Sequence, residues 1–437
     1  MRRDVMATVV TGEKPNDMQA SFDKVSSNFG GLLDDPMPLY RAKMNESPVM
    51  KGDILEELGV PPIFGNARGR QVYTLFRHSD VGAVLRDQDT YTSGLIGEGL
   101  GTFMGTFMLT AMDGDYHRRM RSLLQPCFMP PVLKEWRAAL IDPVIRNEYV
   151  APLVPRGKAD LIADMGLGFP VRVIYAILGF PDGDQKGLEI FASMALKILA
   201  GPKRSPEEAA RARVEALEAS RALHDYVLPL VAERRRQGSL GNDLIGRLLR
   251  TEHEGETLSD EQVTDFVRML LPAAAETTTR TFGSLMVLLL ERPALLDQIR
   301  QDRSLLSKAI DEAVRLEPVA TFKAREAARD VEIGGVAIPK GSIVSMVVHA
   351  ANRDETVFDD PDTFDIFRRN KPSFGFGYGV HMCIGLFVAK AEIESAVNAI
   401  FDLLPNVRFD PSKPKPEIKG VGLRGPKSVN VVWDTTA

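Results

Sequence analysis

The sequence predicts a mainly α fold with small β-sheets, and three observations carry that expectation. Ser205-Pro206-Glu207-Glu208 and Ser259-Asp260-Glu261-Gln262 each set a capping serine ahead of a long stretch of helix-forming composition. Strand-like runs are short and scattered, with no alternating strand–helix unit of the kind that builds a parallel sheet. No linker rich in Pro, Gly or Ser divides the chain, so residues 51–437 are expected to form one domain. Residues 1–50, rich in Asp, Asn, Met and Pro, are expected to be an irregular N-terminal segment.

In chain order, Val72-Tyr73-Thr74-Leu75-Phe76 reads as a strand and Val81 to Arg86 as a short helix. Leu95 to Leu109 is apolar and Gly-rich and holds a tandem repeat, Gly101-Thr102-Phe103-Met104 then Gly105-Thr106-Phe107-Met108. Helical periodicity dominates from Asp113 to Arg250. The helix that starts at Ser205 is expected to reach Arg236 with a bend at Pro229. The one capped by Ser259 should pass Leu290 and stop near Pro293; a helix of roughly 30 residues spans about 45 Å, enough to cross the molecule. Leu296 to Leu316 is helical again. Val331 to Gly335 and Ser342 to Val348 read as a hairpin turning at Pro339-Lys340-Gly341. Leu386 to Leu404 has helical composition and ends at Pro405, and Leu423 to Trp433 reads as a final hairpin.

Composition narrows the function. A chain of 437 residues, 44% hydrophobic, can enclose a cofactor in its core. A net charge of −5 makes no electrostatic case for nucleic acid or an anionic membrane. Cys127 and Cys383 are the only cysteines, which excludes disulfide frameworks, zinc ribbons and four-cysteine iron–sulfur clusters and points to a reducing cytoplasm. Arg2, Arg3, Asp4, Glu13, Lys14 and Asp17 punctuate the N-terminus, and no apolar run reaches about 18 residues, so neither a signal peptide nor a membrane span is expected.

Chemistry concentrates in Phe376-Gly377-Tyr378-Gly379-Val380-His381-Met382-Cys383-Ile384-Gly385. Glycines let peptide N–H groups approach a sulfur, and a thiolate ringed by such donors is a metal ligand. A structural cysteine in a Gly-rich turn is the plainer alternative. Within the Ser259 helix, Ala273-Ala274-Ala275 lets a flat object lie against the backbone. The following Glu276-Thr277-Thr278 supplies an acid–alcohol pair able to pass protons into a dry pocket. A Thr-rich polar face is the alternative there. Pro272 removes one helical rung, and threonine can bond back to a carbonyl one turn earlier. Glu312 and Arg315 stand i,i+3 and can form an ion pair, a weak signal by itself.

Taken together these runs resemble the cytochrome P-450 family, over roughly Val72 to Val432. The resemblance implies that fold, with haem b (iron protoporphyrin IX) buried between the long central helix and the cysteine-loop helix. It implies Cys383 as the iron ligand and Ala273, Glu276 and Thr277 in the oxygen-activating segment. Ala274 departs from the family, which usually has glycine there. Glu312 and Arg315 match the family's structural E-x-x-R pair, with Arg368 as third member and Arg369 a close rival; Asn352-Arg353-Asp354 also fits. His117, Arg121, Arg325 and His381 match positions that hold the haem propionates, and Phe376 the aromatic that shields the sulfur. Cys127 is expected to be a small buried apolar residue.

The implied activity is a monooxygenase that inserts one atom of O2 into a neutral hydrophobic molecule such as a terpenoid, steroid, aromatic or fatty compound. By analogy the substrate meets Phe103, Met104, Phe107, Met108, Leu270, Ala273, Val319, Ala320 and Thr321. No G-x-G-x-x-G follows a strand, so electrons are expected from a separate ferredoxin and ferredoxin reductase. Arg118, Arg119, Arg369 and Lys371 are either their docking face or ordinary solvated surface. A soluble monomer is expected. Three rivals are a haem-thiolate peroxygenase, a non-catalytic haem sensor or carrier, and a cysteine hydrolase built on Cys383 and His381.

Overall fold

The computed structural model describes residues 15–60, 69–105, 107–180, 187–188, 191–192, 197, 205–238, 240–369 and 371–435, the side chains at 15–17, 99–100, 102–103 and 206 excepted. The leader residues Arg2 to Lys14 and Thr106 of the repeat therefore lie outside it.

A 31-residue helix, Asp260–Leu290, runs through the middle of the molecule. Ser259 and Gln262 close a reciprocal capping box at its start, satisfying two of the N–H groups a helix end leaves free. Pro206–Gln237, Phe169–Leu178, Leu306–Leu316 and Leu386–Leu403 all pack on this central helix, within one large apolar core. Pro206–Gln237 continues through Pro229 and ends on Gly238 in the left-handed conformation.

Strands form a five-stranded sheet in the spatial order Val49–Lys51, Val72–Leu75, Ile343–Val347, Phe322–Ala327 and Tyr91–Thr92. Ile343–Val347 runs parallel to Val72–Leu75, and the other pairings are antiparallel. A second sheet joins Arg408–Phe409, Asn430–Val432 and Lys158–Asp160.

Several sequence expectations need correction. The described part of the N-terminal segment is not irregular: helices span Pro15–Asn28 and Met37–Glu46. The second buries only Met37, Tyr40 and Met44, an apolar stripe too narrow to stand out among the Asn, Lys and Pro around it. Leu296 to Leu316 breaks at Asp302, whose carboxylate accepts from the Ser304 amide (3.0 Å) and hydroxyl (2.6 Å) and starts a new turn. The expected hairpin has a different partner. Val331–Ile333 turns at Gly334-Gly335, both with positive φ, and pairs with Val336–Ile338, whereas Ile343–Val347 pairs with Phe322–Ala327, a strand the sequence reading did not identify. The C-terminal hairpin is instead the single strand Asn430–Val432, inserted between two distant strands.

Arg315 is the hub between the core and the cysteine loop. Its side chain is 3% exposed and grips Glu312 with two parallel bonds of 2.8 and 2.7 Å. It also donates to the carbonyls of Asn352 (2.9 Å), Pro361 (2.8 Å) and Thr363 (3.1 Å). Asn352 in turn accepts the Phe374 amide at 2.8 Å, which fixes the start of the loop that carries Cys383. Arg368, not Arg369, completes the cluster, 3.2 Å from Glu312. No described helix is long and apolar enough to cross a membrane.

Replacing Arg315 by Ala would leave the buried Glu312 with Arg368 as its remaining counter-charge and remove the guanidinium donor from the Asn352 and Pro361 carbonyls, a loss of about 3 kcal/mol. Denaturant titration should show a large fall in the unfolding midpoint; an unchanged midpoint would refute the hub.

Candidate active site

The central helix is buried along Val263–Pro272 and Thr278–Leu290, apart from the half-buried Arg268, but not between these segments. Ala273 is exposed and Ala274 to Thr277 are half-buried, although they occupy the middle of an interior helix. The alanines there present a flat, nearly featureless surface. Thr277 Oγ1 donates to the Ala273 carbonyl at 2.8 Å, and Thr279 and Thr281 bond back likewise at 2.9 and 2.8 Å.

Cys383 also keeps open surface deep inside the molecule. Its loop is shaped by glycine: Gly379 has φ +69°, and a Cβ there would lie 2.7 Å from the Leu85 carbonyl. The Cys383 amide donates to the Phe376 carbonyl at 2.8 Å, tying half-buried Phe376 to the ligand position. Depth pushes the thiol up, while N–H groups of Gly385 and Leu386 aimed at the sulfur, and the charges of Lys323 and Arg121, favour the thiolate.

At one edge four groups foreseen from the sequence come together. The rings of His117 and His381 lie 4.1 Å apart. Burial, reinforced by Arg121 and Arg325, pushes His117 down to about 4. Burial, then Arg325, His117 and Arg121, takes His381 down to about 3, so both rings are neutral at pH 7. His381 Nε2 meets Ser93 Oγ at 3.2 Å, whereas the buried His117 Nε2 has no partner among the described residues. Arg121 donates to Gln125 Oε1 (3.0 Å) and the Met382 carbonyl (2.8 Å), and Arg325 to the Ala324 carbonyl (2.8 Å). Neither guanidinium forms an ion pair with an acid among the described residues; Asp113 only biases Arg325 from a distance. Two semi-buried cations and an orphaned imidazole nitrogen suit a pair of incoming carboxylates, which is what a haem presents.

Other expected residues divide. Met104, Phe107, Met108, Leu270 and Val319 are buried, Ala320 is half-buried, and the Phe103 side chain lies outside the described residues. The repeat segment is held to the central helix at Gly105, where φ is +81° and a Cβ would overlap Asp265, and by the Phe107 amide donating to Asp265 at 3.3 Å. Thr321 is fully buried and spends its hydroxyl on the carbonyls of Val421 and Gly422, the latter at 3.0 Å, so it offers no polar group to a substrate. Cys127 is buried beside Thr251, with Sγ 3.7 Å from its hydroxyl.

Glu276 is committed to a partner the sequence reading did not foresee. Arg280, one turn on and 0% exposed, donates to Glu276 Oε1 through Nε at 2.9 Å and again through Nη2. Arg280 also reaches Ser26 Oγ at 3.0 Å and lies 4.3 Å above the Phe22 ring. Burial raises the Glu276 carboxyl while Arg280 opposes it. The i,i+4 spacing was a legible signal. Glu392 was also missed. It is fully buried beside Thr278, which hydrogen-bonds to it, and burial raises its carboxyl far above the usual range.

A cysteine that keeps accessible surface in a glycine-shaped loop, a run of small residues left open in the middle of the central helix, and two cations without an acid paired to them among the described residues fit the haem-thiolate class. The family model for cytochrome P450 matches residues 209–429. Cyclomarin C epoxidase of Salinispora arenicola is 32% identical over 83% of this chain and 91% of its own length. Pulcherriminic acid synthase of Bacillus subtilis is also 32% identical, over 83% and 90%. The crystal structure of CYP109E1 from Bacillus megaterium in complex with testosterone superposes with a TM-score of 0.77 at 26% identity, covering 92% of this chain and all of that one. The chain belongs to the cytochrome P450 family. It is a monooxygenase that uses haem b held by a cysteine thiolate, O2, a hydrophobic substrate and redox partners.

Changing Glu276→Gln would strand the Arg280 charge in the interior at a cost on the order of 3 kcal/mol. The unfolding midpoint of the holoenzyme should fall, and the double change Glu276→Gln, Arg280→Met should recover most of the loss. A midpoint unmoved by Glu276→Gln would show that the pair carries no weight.

Proposed function

We propose that Cys383 is the proximal ligand and that Ala273 to Thr277 form the opposite wall of the reaction chamber. The observation that carries this reading is the pairing of two accessible surfaces, Cys383 and Ala273, each deep within the molecule. Haem b, when bound, supplies reductive activation of O2 and delivery of one oxygen atom to the substrate; the other leaves as water after two electrons and two protons are taken up.

The chain's own residues do the rest. Gly385 and Leu386 amides hold Cys383 as the anion, with Phe376 closing off the sulfur. Arg121, Arg325, His117 and His381 bind the propionates. Thr277, the hydroxyl on the open stretch of the helix, passes protons inward, with Glu276 beside it as the acid held in place by Arg280. Thr277 has its hydroxyl proton held on the Ala273 carbonyl, which leaves its lone pairs to accept. The substrate is a hydrophobic molecule bound near Met104, Phe107, Met108, Leu270, Val319 and Ala320.

Electrons are proposed to come from a ferredoxin served by its reductase, docking to a monomer on the cysteine side. A groove of about 830 Å³ opens there, lined by Lys308, Arg368, Arg369, Lys371, Met382 and Leu386. Phe367, 62% exposed, stands on its rim. Of the four cations expected from sequence, Arg118 and Arg119 already pair with Asp115 and Glu256, both at 3.3 Å, and Lys371 donates to the Val357 carbonyl. Arg369 is therefore the residue on which docking should depend most.

Reduced protein under carbon monoxide should show the red-shifted Soret band of a thiolate ligand, and Cys383→Ser should abolish both band and turnover. A Cys383→Ser protein with full turnover would overturn the assignment. Arg369→Gln should slow reduction by an acidic ferredoxin several-fold at low salt and flatten the salt dependence; identical rates and slopes would remove the docking site.

A further inference from the structure

Lys323 is a cation the assigned chemistry does not use. It lies on the strand Phe322–Ala327, two residues before Arg325, so the two side chains leave the same face of the strand. That face is the one turned to the reaction chamber, because the Arg325 charge bears on both His117 and His381. The Lys323 ammonium and Cys383 also sense one another's charge across the interior. Lys323 is deep in the molecule yet keeps accessible surface, as Cys383 and Ala273 do. Burial, then Arg325, lowers it to about 8. Among the described residues no carboxylate pairs with it.

A buried ammonium without a counter-ion is expensive, and a neighbouring guanidinium makes it more so. A protein keeps such a group where something anionic arrives to meet it. The open stretch of the central helix offers Ala273, Ala274, Ala275 and Thr277, and its one acid, Glu276, is already taken by Arg280. With Arg121 and Arg325 assigned to the propionates, Lys323 is the cation left over beside an apolar lining, a recognition pattern for an amphiphile with a single acidic end.

We propose that Lys323 anchors a carboxylate inside the chamber, brought either by an otherwise apolar acid as substrate or by the haem itself as a propionate. This rests on the haem-thiolate reading above, and the carbon monoxide band of each preparation checks that reading separately. The probes are dodecanoic acid and its methyl ester, titrated into wild-type, Lys323→Met and Lys323→Arg holoenzymes and followed by the Soret shift on binding. With the substrate as source, wild type prefers the acid by about tenfold, the size of one charge-assisted hydrogen bond. Lys323→Met then loses that preference while its affinity for the ester is unchanged, and Lys323→Arg retains it. With the haem as source, acid and ester bind alike, and resonance Raman shows the propionate bending mode shifted in Lys323→Met and restored in Lys323→Arg. Should the carbon monoxide band be present and neither the acid preference nor the propionate mode respond to Lys323→Met, the anchor is disproved.

Discussion

The five-donor grip of Arg315 governs how this molecule presents its chemistry. A guanidinium is planar and rigid, so binding Glu312 and three carbonyls at once fixes the segment from Asn352 to Thr363 in relation to the core helix Leu306–Leu316. Asn352 passes that constraint to Phe374, from which the glycine turns carry the chain to Cys383. The position of the sulfur is thus set by buried polar geometry, while the wall facing it is set by an apolar helix with its own cap. Two independently anchored elements define the width of the space between them.

Much of this was legible in the sequence, for identifiable reasons. The central helix announced itself because a capping box and a long unbroken apolar pattern are local signals. The cysteine loop was readable because glycine, histidine and cysteine at fixed offsets leave few structural alternatives. Arg368 could be preferred over Arg369 only through its setting, and its guanidinium does turn back onto Glu312. What escaped was non-local. Ile343–Val347 chose Phe322–Ala327 over its sequence neighbour because pairing is decided across the sheet, where the parallel contact with Val72–Leu75 also had to be satisfied. Phe322-Lys323-Ala324-Arg325 does not look like a strand, since two cations interrupt the apolar alternation. The Glu276–Arg280 contact was visible as spacing but not as commitment, since only depth makes such a pair compulsory.

Electrostatics in the chamber are one-sided. Arg121, Arg325 and Lys323 have no acid paired to them among the described residues, and the two histidines near Arg121 and Arg325 stay neutral because of burial first and the charges of those arginines second. Folding such a cluster without anions is unfavourable, so the bound cofactor contributes to the integrity of the fold as well as to chemistry. The cluster also favours the thiolate at Cys383, which links cofactor seating to ligand charge.

Arg280 spans from the acid of the central helix to Ser26 and Phe22 on Pro15–Asn28, a helix near the amino end of the chain. Trimming that end to improve expression would therefore not remove a dispensable tail. It would expose one side of the Glu276–Arg280 ion pair, so a shortened clone would be altered in the open middle of the central helix.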